Sequence, residues 1–404
     1  MANKTIDETR LKSVYHDLIR IESISGHERR VGEYIAQQIR GFGLEPRFVY
    51  FDDDRARPSI YTRFGDPSNG RSLLLIGHTD TVGINSPWDT DPFEPVEVGD
   101  RTYGRGAMDM KGGIAAILET VAFFCKNPHT LSGEIIAAFV ADEEVLSQGS
   151  FALLREDIHP DMAIMAECRF DNVAAGFRGR YSIEVKVQGE SAHSSHYPEK
   201  GENAIASAAR LILALEGLEE GEMLRHPKLG IGSWCAKYVE GGIRNALTVP
   251  DQCSIIFDRF FVKGETFATM EQQVRRVAAK LGIEKKIAVK KAERKLPYME
   301  PFAIDEAHPI ISVLREKYRE ITGKELDINY DPSVIDSNIL VNEAGIPTAT
   351  FGPSGGNMHG ANEYGYFQQV AQCAHIYIET AKELLKPNTA REKIETARAE
   401  RRTA

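Results

Sequence analysis

The segment from Leu73 to Gly113, LLLIGHTDTVGINSPWDTDPFEPVEVGDRTYGRGAMDMKGG, decides how the chain is interpreted. Its apolar run, Leu73 to Ile76, predicts a buried strand that ends near His78. In an extended chain residues i and i+2 share a face, so Asp80 is expected behind His78, where it can accept a proton from the imidazole. The other imidazole nitrogen is then available to a metal ion, whose remaining ligands must come from elsewhere in the chain.

The size and charge of the chain bound its domain number and its partners. Its 404 residues are many for one hydrophobic core, so two domains are expected. The chain has 49 Lys and Arg residues against 59 Asp and Glu residues, and the net charge of −10 argues against nucleic acid or an anionic membrane as the main partner. We therefore expect a small-molecule substrate.

Two further features concern location and redox state. No stretch is apolar over the length needed to cross a bilayer, and the N-terminal region lacks the apolar core of a secretion signal, so we predict a cytoplasmic protein. The five cysteines are widely spaced, without a CxxC pair. This pattern favours neither a disulfide framework nor a thiolate zinc site.

The order of apolar segments predicts an α/β fold with an insertion. In residues 1–177 and 294–404 strands alternate with amphipathic helices, which predicts a mixed, largely parallel sheet flanked by helices. Between residues 178 and 293 the order is strand, helix, strand, strand, helix, strand, the ferredoxin-like pattern. We therefore predict a catalytic domain in two segments, interrupted by an inserted ferredoxin-like α+β domain at 178–293.

Polar residues that can bind a metal stand at or near the predicted strand ends. Adjacent acids follow the strand GEIIAAFVAD, so that one can bind metal while the other acts as a base. Another acid follows an apolar run, where it needs a cationic partner, and a third lies in the glycine-rich YGRGAMDMKGG, which lacks the GxxxxGK[ST] pattern of a P-loop. Open α/β sheets place their sites at such carboxyl edges. The candidate ligands are His78, Asp109, Glu144, Glu167 and His359, with Glu143 as the candidate base.

The ligand types indicate which metal is bound and how many ions. Mixed histidine and carboxylate ligands suit zinc, and manganese or cobalt can be accommodated. The charge of two Zn²⁺ ions would be neutralised by the three carboxylates together with one hydroxide ion. This balance favours two divalent metal ions over one.

Several motifs together resemble those of a known enzyme family over nearly the whole chain. They are GHTDTV at 77–82, WDTDPF at 88–93, YGRGAMDMKGG at 103–113, DEE at 142–144, AHSSHYPEKGENA at 192–204 and GPSGGNMHGANE at 352–363, together with Glu167. The chain is similar in these motifs to the co-catalytic zinc amidohydrolases and exopeptidases, which include aminoacylase, carboxypeptidase G, acetylornithine deacetylase and succinyl-diaminopimelate desuccinylase. The resemblance implies a zinc-exopeptidase fold and a dinuclear metal-dependent hydrolase.

The resemblance also implies how the ligands are shared between the two metals. His78 and Glu167 would hold one ion, Glu144 and His359 would hold the other, and Asp109 would bridge both. Each ion would then have one histidine and two carboxylates from the protein.

Catalytic roles are implied for two further acids. Asp80 would orient His78, and Glu143 would be the general base, which takes a proton from a metal-bridging water and later gives it to the leaving nitrogen. In the family the peptide bond after the bridging aspartate is cis, which here would be the bond between Asp109 and Met110.

The inserted domain contributes three candidates by the same resemblance. His193 would reach the active site of the neighbouring subunit and help to stabilise the tetrahedral oxyanion, which would require a homodimer paired through this domain. Asn245 and Arg259 would contact the substrate, and Arg259 is suited to a two-pronged grip on a terminal carboxylate. Each of the three could instead be a surface polar residue of a strand or loop.

The chain departs from the family pattern after Glu167. The family continues with proline and a small polar residue, whereas this chain has Cys168 and Arg169. Arg169 could add positive charge near the substrate pocket or could simply be solvated. By resemblance, a glutamate rather than an aspartate at position 167 points to deacylases and carboxypeptidases.

The sequence therefore predicts a hydrolase that cleaves an amide C–N bond in a small carboxylate-bearing substrate, such as an N-acyl amino acid or a peptide C-terminus. One alternative keeps the dimetal site but uses it for hydrolytic deamination or ureido hydrolysis. Another is a catalytically dead binding protein on the same fold, which the joint presence of Glu143 and the five ligands disfavours.

Overall fold

The computed structural model describes residues 6–51 and 55–386. These residues form two compact units. The first contains the described residues up to Ala175, then Ile304–Asn329, and then those from Ile335 onward, whereas the second contains Gly176–Ala303 and Tyr330–Val334. The end of the predicted third segment, residues 387–404, lies outside the described residues.

The helices follow the amphipathic patterns of the sequence. Several begin at a residue whose side chain accepts a backbone N–H of the first turn, as Asp7, Asn203 and Thr266 do for α1, α5 and α6. In the described residues the helices are α1 (Glu8–Arg20), α2 (Arg29–Gly41), α3 (Gly112–Lys126), α4 (Gln148–Leu153), α5 (Ala204–Glu216), α6 (Phe267–Lys280), α7 (Pro309–Thr322), α8 (Asp336–Ala344) and α9 (Phe367–Leu384).

The strands of the first unit lie on both sides of the second unit in sequence. In chain order the strands before the second unit are β1 (Arg47–Val49), β2 (Ser59–Gly65), β3 (Ser72–His78), β4 (Val96–Val98), β5 (Arg101–Tyr103), β6 (Glu134–Val140), β7 (Met162–Met165) and β8 (Arg169–Phe177). The following strands are β9 (Gly179–Gln188), β10 (Arg225–His226), β11 (Gly230–Ile231), β12 (Ser233–Gly241), β13 (Gln252–Phe261), β14 (Ile287–Lys291) and β15 (Phe302–Ala303). The last are β16 (Asp327–Asp331), β17 (Thr348–Gly352), β18 (Gly355–Gly356) and β19 (Tyr364–Tyr366).

The first unit is organised around a mixed sheet whose centre is parallel. The strand order within this unit is β1-β2-β6-β3-β7-β17-β8. The central strands β6, β3, β7 and β17 run parallel, whereas β1, β2 and β8 join antiparallel. The predicted α/β fold with a largely parallel sheet is confirmed.

Continuous apolar runs form the centre of this sheet. Every residue of β3 and of β6 is buried. Because successive side chains of a strand point to opposite faces, such burial requires cover on both faces. Leu74 and Ile76 pack with Leu153 of α4, and α3 lies against β3 and β6. The carboxyl ends of the parallel strands therefore meet at one edge of a rigid, buried sheet.

The second unit has the predicted ferredoxin-like arrangement. Its elements follow the order β9-α5-β12-β13-α6-β14, and its antiparallel sheet has the strand order β12-β13-β9-β14. The helices pack on the sheet over a core that includes Ile183, Leu211, Ile255 and Val274. Strands β12 and β14 form the two edges of the sheet.

The chain leaves the second unit later than residue 293, the predicted end of the inserted domain. It enters at Gly176, near the predicted 178, and leaves after Ala303. The hydroxyl of Tyr298 lies 2.7 Å from the carbonyl oxygen of Ala292 and 3.3 Å from that of Ser182. These contacts hold the residues after β14 to the second unit.

Some elements of the first unit had no clear signal in the sequence. They include β8, α8 and a small antiparallel sheet with the strand order β18-β19-β5-β4. The strands of this small sheet are two or three residues long, too short to show a periodic pattern. None of the helices in residues 6–51 and 55–386 is both long and apolar enough to cross a membrane.

Candidate metal centre

The carboxyl ends of the parallel strands collect four of the predicted ligands. His78 is the last residue of β3, Glu144 follows β6, Glu167 follows β7, and His359 follows β17. These strands are neighbours in the sheet, so the residues that follow them share one edge. The sheet thus brings together residues that are far apart in sequence.

The small sheet brings Asp109 to the same place. Strand β5 pairs with β19 and leads into the Asp109 segment, while β18 and β19 flank the loop that carries His359. Tyr103 of β5 is paired with Tyr364 of β19. This pairing holds the Asp109 segment beside the His359 loop.

The backbone around Asp109 depends on glycine. Gly106 has a φ of +80°, in the left-handed region that glycine adopts most readily. A Cβ atom on Gly113 would lie 2.1 Å from the carbonyl oxygen of Ala166, so only glycine allows this close approach to the end of β7. The peptide bond between Asp109 and Met110 is cis, as the resemblance implied.

The five residues form two sets of ligand atoms that share Asp109. In the first set, Nε2 of His78 lies 3.1 Å from Oδ1 of Asp109 and 3.1 Å from Oε1 of Glu167. In the second, Nε2 of His359 lies 3.1 Å from Oδ2 of Asp109 and 3.2 Å from Oε2 of Glu144. The ligand atoms within each set all lie within 4.8 Å of one another.

The hydrogen bonds of His78 show that this arrangement fits a cation. Its Nδ1 lies 2.9 Å from the main-chain oxygen of Asp80, which can only accept, so Nδ1 carries a proton. In the neutral ring Nε2 then presents a lone pair, although it faces two carboxylate oxygens. A divalent cation between them would satisfy all three atoms, which is the usual way in which a histidine binds metal.

Burial and charge shift the pKa values of the centre in opposite directions. Burial acts to lower the pKa of His78, but the charge of Glu167 and a hydrogen bond to Asp109 raise it well above its usual value. Hydrogen bonds to Asp109 and Glu144 raise the pKa of His359 to about 10. Burial opposes the ionisation of Asp109, yet the two histidines hold its pKa well below the usual range. The carboxylates therefore favour positive charge at both imidazole positions.

Asp80 lies next to His78, and its carboxylate also contacts the backbone that follows β6. The carboxylate oxygen Oδ1 is 3.6 Å from Nδ1 of His78, farther than the main-chain oxygen of the same residue. The contact with this carboxylate also helps to raise the pKa of His78, and the role of Asp80 in orienting His78 stays a prediction. Its two carboxylate oxygens accept the backbone N–H groups of Glu143 and Glu144, at 3.0 and 3.1 Å, and Ser25 donates to it at 2.7 Å.

Glu143 is partly buried beside the two ligand sets. Burial raises its pKa well above the usual value, and the negative charges of Asp336, Glu167 and Glu144 act in the same direction, while His78 opposes them. Its carboxyl group thus lies within the electrostatic reach of ligands from both sets. Its role as the general base remains a prediction.

The residues that depart from the family pattern line the same edge. The Sγ of Cys168 lies 3.6 Å from Oε2 of Glu167 and 3.6 Å from the sulfur of Met358. Arg169 begins β8 and is partly buried. The sulfur atoms of Cys168 and Met358 are therefore in contact with each other next to Glu167.

Glu363 was quoted in a sequence motif but given no role. It is buried, and its carboxylate accepts the backbone N–H groups of Gly106, Met108 and Asp109 at 2.9 to 3.0 Å. It also pairs with the buried guanidinium of Arg105 at 2.6 Å. Glu363 thus holds the segment that carries Asp109, and its place four residues after His359 was the available signal.

His193 and Asn245 lie in the second unit, on two loops that are joined to each other. His193 forms a β-bridge with Thr248, and the backbone N–H of Ser194 donates to the carbonyl oxygen of Leu247. Both His193 and Asn245 are exposed. Nδ1 of His193 lies 2.8 Å from Oγ of Ser195.

Arg259 lies in the second unit with its side chain buried. Its guanidinium forms an ion pair with Glu265, which also accepts the backbone N–H of Val262 at 3.0 Å, and it stacks 5.1 Å from the ring centre of Trp234. In this conformation the guanidinium is paired within the protein. Binding to a substrate carboxylate would require it to exchange Glu265 for the substrate.

Comparison with known proteins gives one family and several enzymes of similar length. Residues 74–383 match the model of peptidase family M20/M25/M40. The chain is 24% identical over 382 residues to the succinyl-diaminopimelate desuccinylase of Nitrosomonas eutropha, covering 91% of this chain and 96% of the relative. It is 27% identical over 370 residues to the N-formyl-4-amino-5-aminomethyl-2-methylpyrimidine deformylase of Bacillus subtilis, covering 84% and 85%.

A solved structure shares the fold of this chain. The YXEP protein of Bacillus subtilis, described as a dinuclear metal-binding peptidase, superposes with a TM-score of 0.71 at 15% identity, covering 94% of this chain and 98% of that one. The family match spans most of the chain. The chain therefore belongs to peptidase family M20/M25/M40, and it is a metal-dependent hydrolase of the amidohydrolase and peptidase class.

Proposed function

We propose that the protein hydrolyses the amide C–N bond of a small carboxylate-bearing substrate, as an N-acyl amino acid deacylase or a carboxypeptidase-like enzyme. The observation that carries this proposal is the pair of histidine and carboxylate sets that share Asp109, with Glu143 beside them. Relatives named as a desuccinylase and a deformylase support the release of an acyl group.

Each ligand set is assigned to one divalent cation. His78 and Glu167 would hold the first ion and Glu144 and His359 the second, while Asp109, which belongs to both sets, would be available to both ions. Nitrogen and oxygen ligands of this kind suit Zn²⁺, with Mn²⁺ or Co²⁺ as alternatives. When bound, such ions polarise a substrate carbonyl and lower the pKa of water from about 15.7 to about 7.

Glu143 acts as the general base in this proposal. Its neighbour Glu144 is committed to the second ligand set, which leaves Glu143 as the adjacent acid without a ligand role. It takes the proton of the attacking water and delivers it to the leaving nitrogen. Asp80 supports this step by holding the backbone N–H groups of both glutamates.

The second unit supplies groups that bind substrate, and it also pairs two copies of the chain. Its strand β12 is an edge strand, and the exposed large apolar side chains of this unit include five on α5, on β12 and in the loop after β12. Large exposed apolar surface marks interaction sites. We propose a homodimer through this surface, in which His193 acts at the neighbouring subunit and Asn245 contacts substrate. The five side chains of the proposed surface are those of Leu213, Tyr238, Val239, Ile243 and Leu247.

Arg259 is proposed to recognise the carboxylate of the substrate. The carboxylate would replace Glu265 as the partner of the guanidinium, keeping one anion opposite one cation. An arginine is suited to this exchange because its planar fork fits a carboxylate with two hydrogen bonds.

Two substitutions of adjacent residues test the proposed roles. Glu143→Gln should keep two metal ions bound while kcat falls by a factor of about 10² to 10⁴, because the proton acceptor is lost. Glu144→Gln should instead lower the metal content. Metal analysis and turnover of a panel of N-acyl amino acids and dipeptides measure both effects, with ammonia release scored separately to detect deamination. Unimpaired turnover by Glu143→Gln would exclude the mechanism.

A further inference from the structure

The turn that carries Glu143 and Glu144 is not held by local structure alone. It follows β6, and two of its residues, Asp142 and Ser147, have left-handed φ values of +72° and +59°. Such values are uncommon for residues other than glycine and persist only where the surroundings enforce them. Contacts from outside the turn must therefore fix the position of the two glutamates.

One of these contacts is an arginine placed between two buried carboxylates. Nη2 of Arg57 lies 2.5 Å from Oδ1 of Asp142 and 2.6 Å from Oε1 of Glu28, and Nε lies 2.9 Å from the other oxygen of Glu28. The Glu28 and Asp142 side chains are 0% and 1% exposed, so neither can turn to water instead. The second oxygen of Asp142 accepts the backbone and side-chain N–H groups of Gln148, at the far end of the turn.

The loop that contains Glu28 also contacts the turn through a second residue, Ser25. Ser25 donates to Asp80, whose carboxylate accepts the backbone N–H groups of the two glutamates. The backbone of this loop is paired with Thr81, because Ile24 forms a β-bridge with it. The loop therefore takes part in two connections to the turn, one from Glu28 through Arg57 to Asp142 and one from Ser25 through Asp80.

We propose that Arg57 is a positioning residue for the general base, because it joins Glu28 to Asp142 and so fixes the turn that carries Glu143. The inference rests on the proposed function of Glu143. Arg57 contacts neither ligand set in the described hydrogen bonds and ion pairs, so it acts through Asp142. A shift of about 1 Å in a catalytic group can cost a factor of about 10² in rate.

The test compares Arg57→Ala with a matched control, Arg63→Ala. Arg63 pairs with the buried Glu134 at 2.7 Å, but Glu134 begins β6, at the opposite end of that strand from the turn. Arg63→Ala leaves one buried carboxylate without its cation, and Arg57→Ala leaves two. Only Arg57→Ala should lower kcat, by about 10- to 100-fold, when both variants are assayed at saturating metal, where KM and the amount of bound metal stay close to those of the wild-type enzyme. Arg57→Lys keeps the positive charge but lacks the planar guanidinium that bonds both carboxylates. Its kcat should lie between those of the wild-type enzyme and Arg57→Ala.

Two further measurements separate positioning from a general loss of stability. Amide hydrogen exchange of residues 142–148 in the metal-free protein should be faster in Arg57→Ala and unchanged in Arg63→Ala. The Arg57 side chain is 18% exposed, so guanidinium ion can reach the vacated space. Millimolar guanidinium chloride should restore part of the kcat of Arg57→Ala, whereas sodium chloride at the same concentration should not.

The outcomes are distinguishable from a failure of the proposed function. If the wild-type enzyme cleaves no amide, the proposed function is wrong, and the exchange measurement still decides whether Arg57 holds the turn. The inference is overturned if Arg57→Ala and Arg63→Ala have the same kcat, or if exchange in the turn is equal in both variants.

Discussion

Glu363 offers a direct test of how the Asp109 segment is held. One oxygen of its carboxylate accepts the backbone N–H groups of Met108 and Asp109, and the other accepts that of Gly106 and the guanidinium of Arg105. Glu363→Gln preserves the shape but replaces one acceptor oxygen by an NH₂ group. The NH₂ group would face N–H donors and could not accept a hydrogen bond from them, and the negative charge opposite Arg105 would be lost.

The contacts that are lost set the size of the effect. A hydrogen bond to a charged group contributes about 1.5 to 3 kcal/mol, and breaking a buried ion pair costs about 3 to 5 kcal/mol. Both partners of the Arg105–Glu363 pair are 1% exposed, so water cannot replace the missing group. We expect Glu363→Gln to lower the free energy of unfolding by about 3 to 5 kcal/mol. We also expect metal affinity to fall by about 10- to 100-fold, since partners that orient ligands have effects of this size.

The control is a buried carboxylate with similar contacts elsewhere in the same unit. Glu119 accepts the guanidinium of Arg10 at 2.6 Å and the backbone N–H of Asp7 at 2.8 Å, and its side chain is 2% exposed. Glu119→Gln should lower unfolding stability without changing metal affinity. Urea unfolding of the metal-free proteins and competition with a chelator measure the two quantities. If Glu363→Gln retains wild-type metal affinity, the idea that Glu363 holds Asp109 in its metal-binding position is refuted.

Two further predictions concern pH and assembly. Burial raises the pKa of Asp336 from 3.8 to about 7, so its stabilising contribution is present below about pH 4 and is lost as pH rises through 7. In urea unfolding of the metal-free protein, Asp336→Asn should therefore gain up to about 4 kcal/mol relative to the wild-type protein between pH 4 and 8, and a constant difference would contradict this. Leu247→Asp should give a monomer in sedimentation velocity, whereas Val98→Asp, at an exposed position of the first unit, should remain dimeric; dimeric Leu247→Asp would exclude the proposed surface.

The sequence was most informative where local patterns are long. The apolar run of β3 and the ferredoxin-like order of the second unit are both visible in the pattern of apolar residues. The predicted ligands could be found because each follows an apolar strand or lies in a glycine-rich segment. Parallel strands then bring such residues to one edge without any further information.

The sequence was least informative where a side chain acts through a distant partner. Arg57 and Asp142 are 85 residues apart, and Glu363 lies 257 residues from Gly106. No local periodicity relates such positions, because their contact depends on how loops pack at a strand end.

These distant contacts explain how a site with so many acids can exist before any metal binds. Asp80, Asp142 and Glu363 each accept backbone N–H groups of the segments that carry Glu143, Glu144 and Asp109. Hydrogen bonds to the backbone hold the ligand segments in place despite the repulsion between their carboxylates. A centre that is held in this way needs little rearrangement when ions enter. Metal affinity therefore depends on these backbone hydrogen bonds as well as on the ligands. This is why substitutions at Glu363 and Glu119, both of which should lower unfolding stability, should differ in their effect on metal binding.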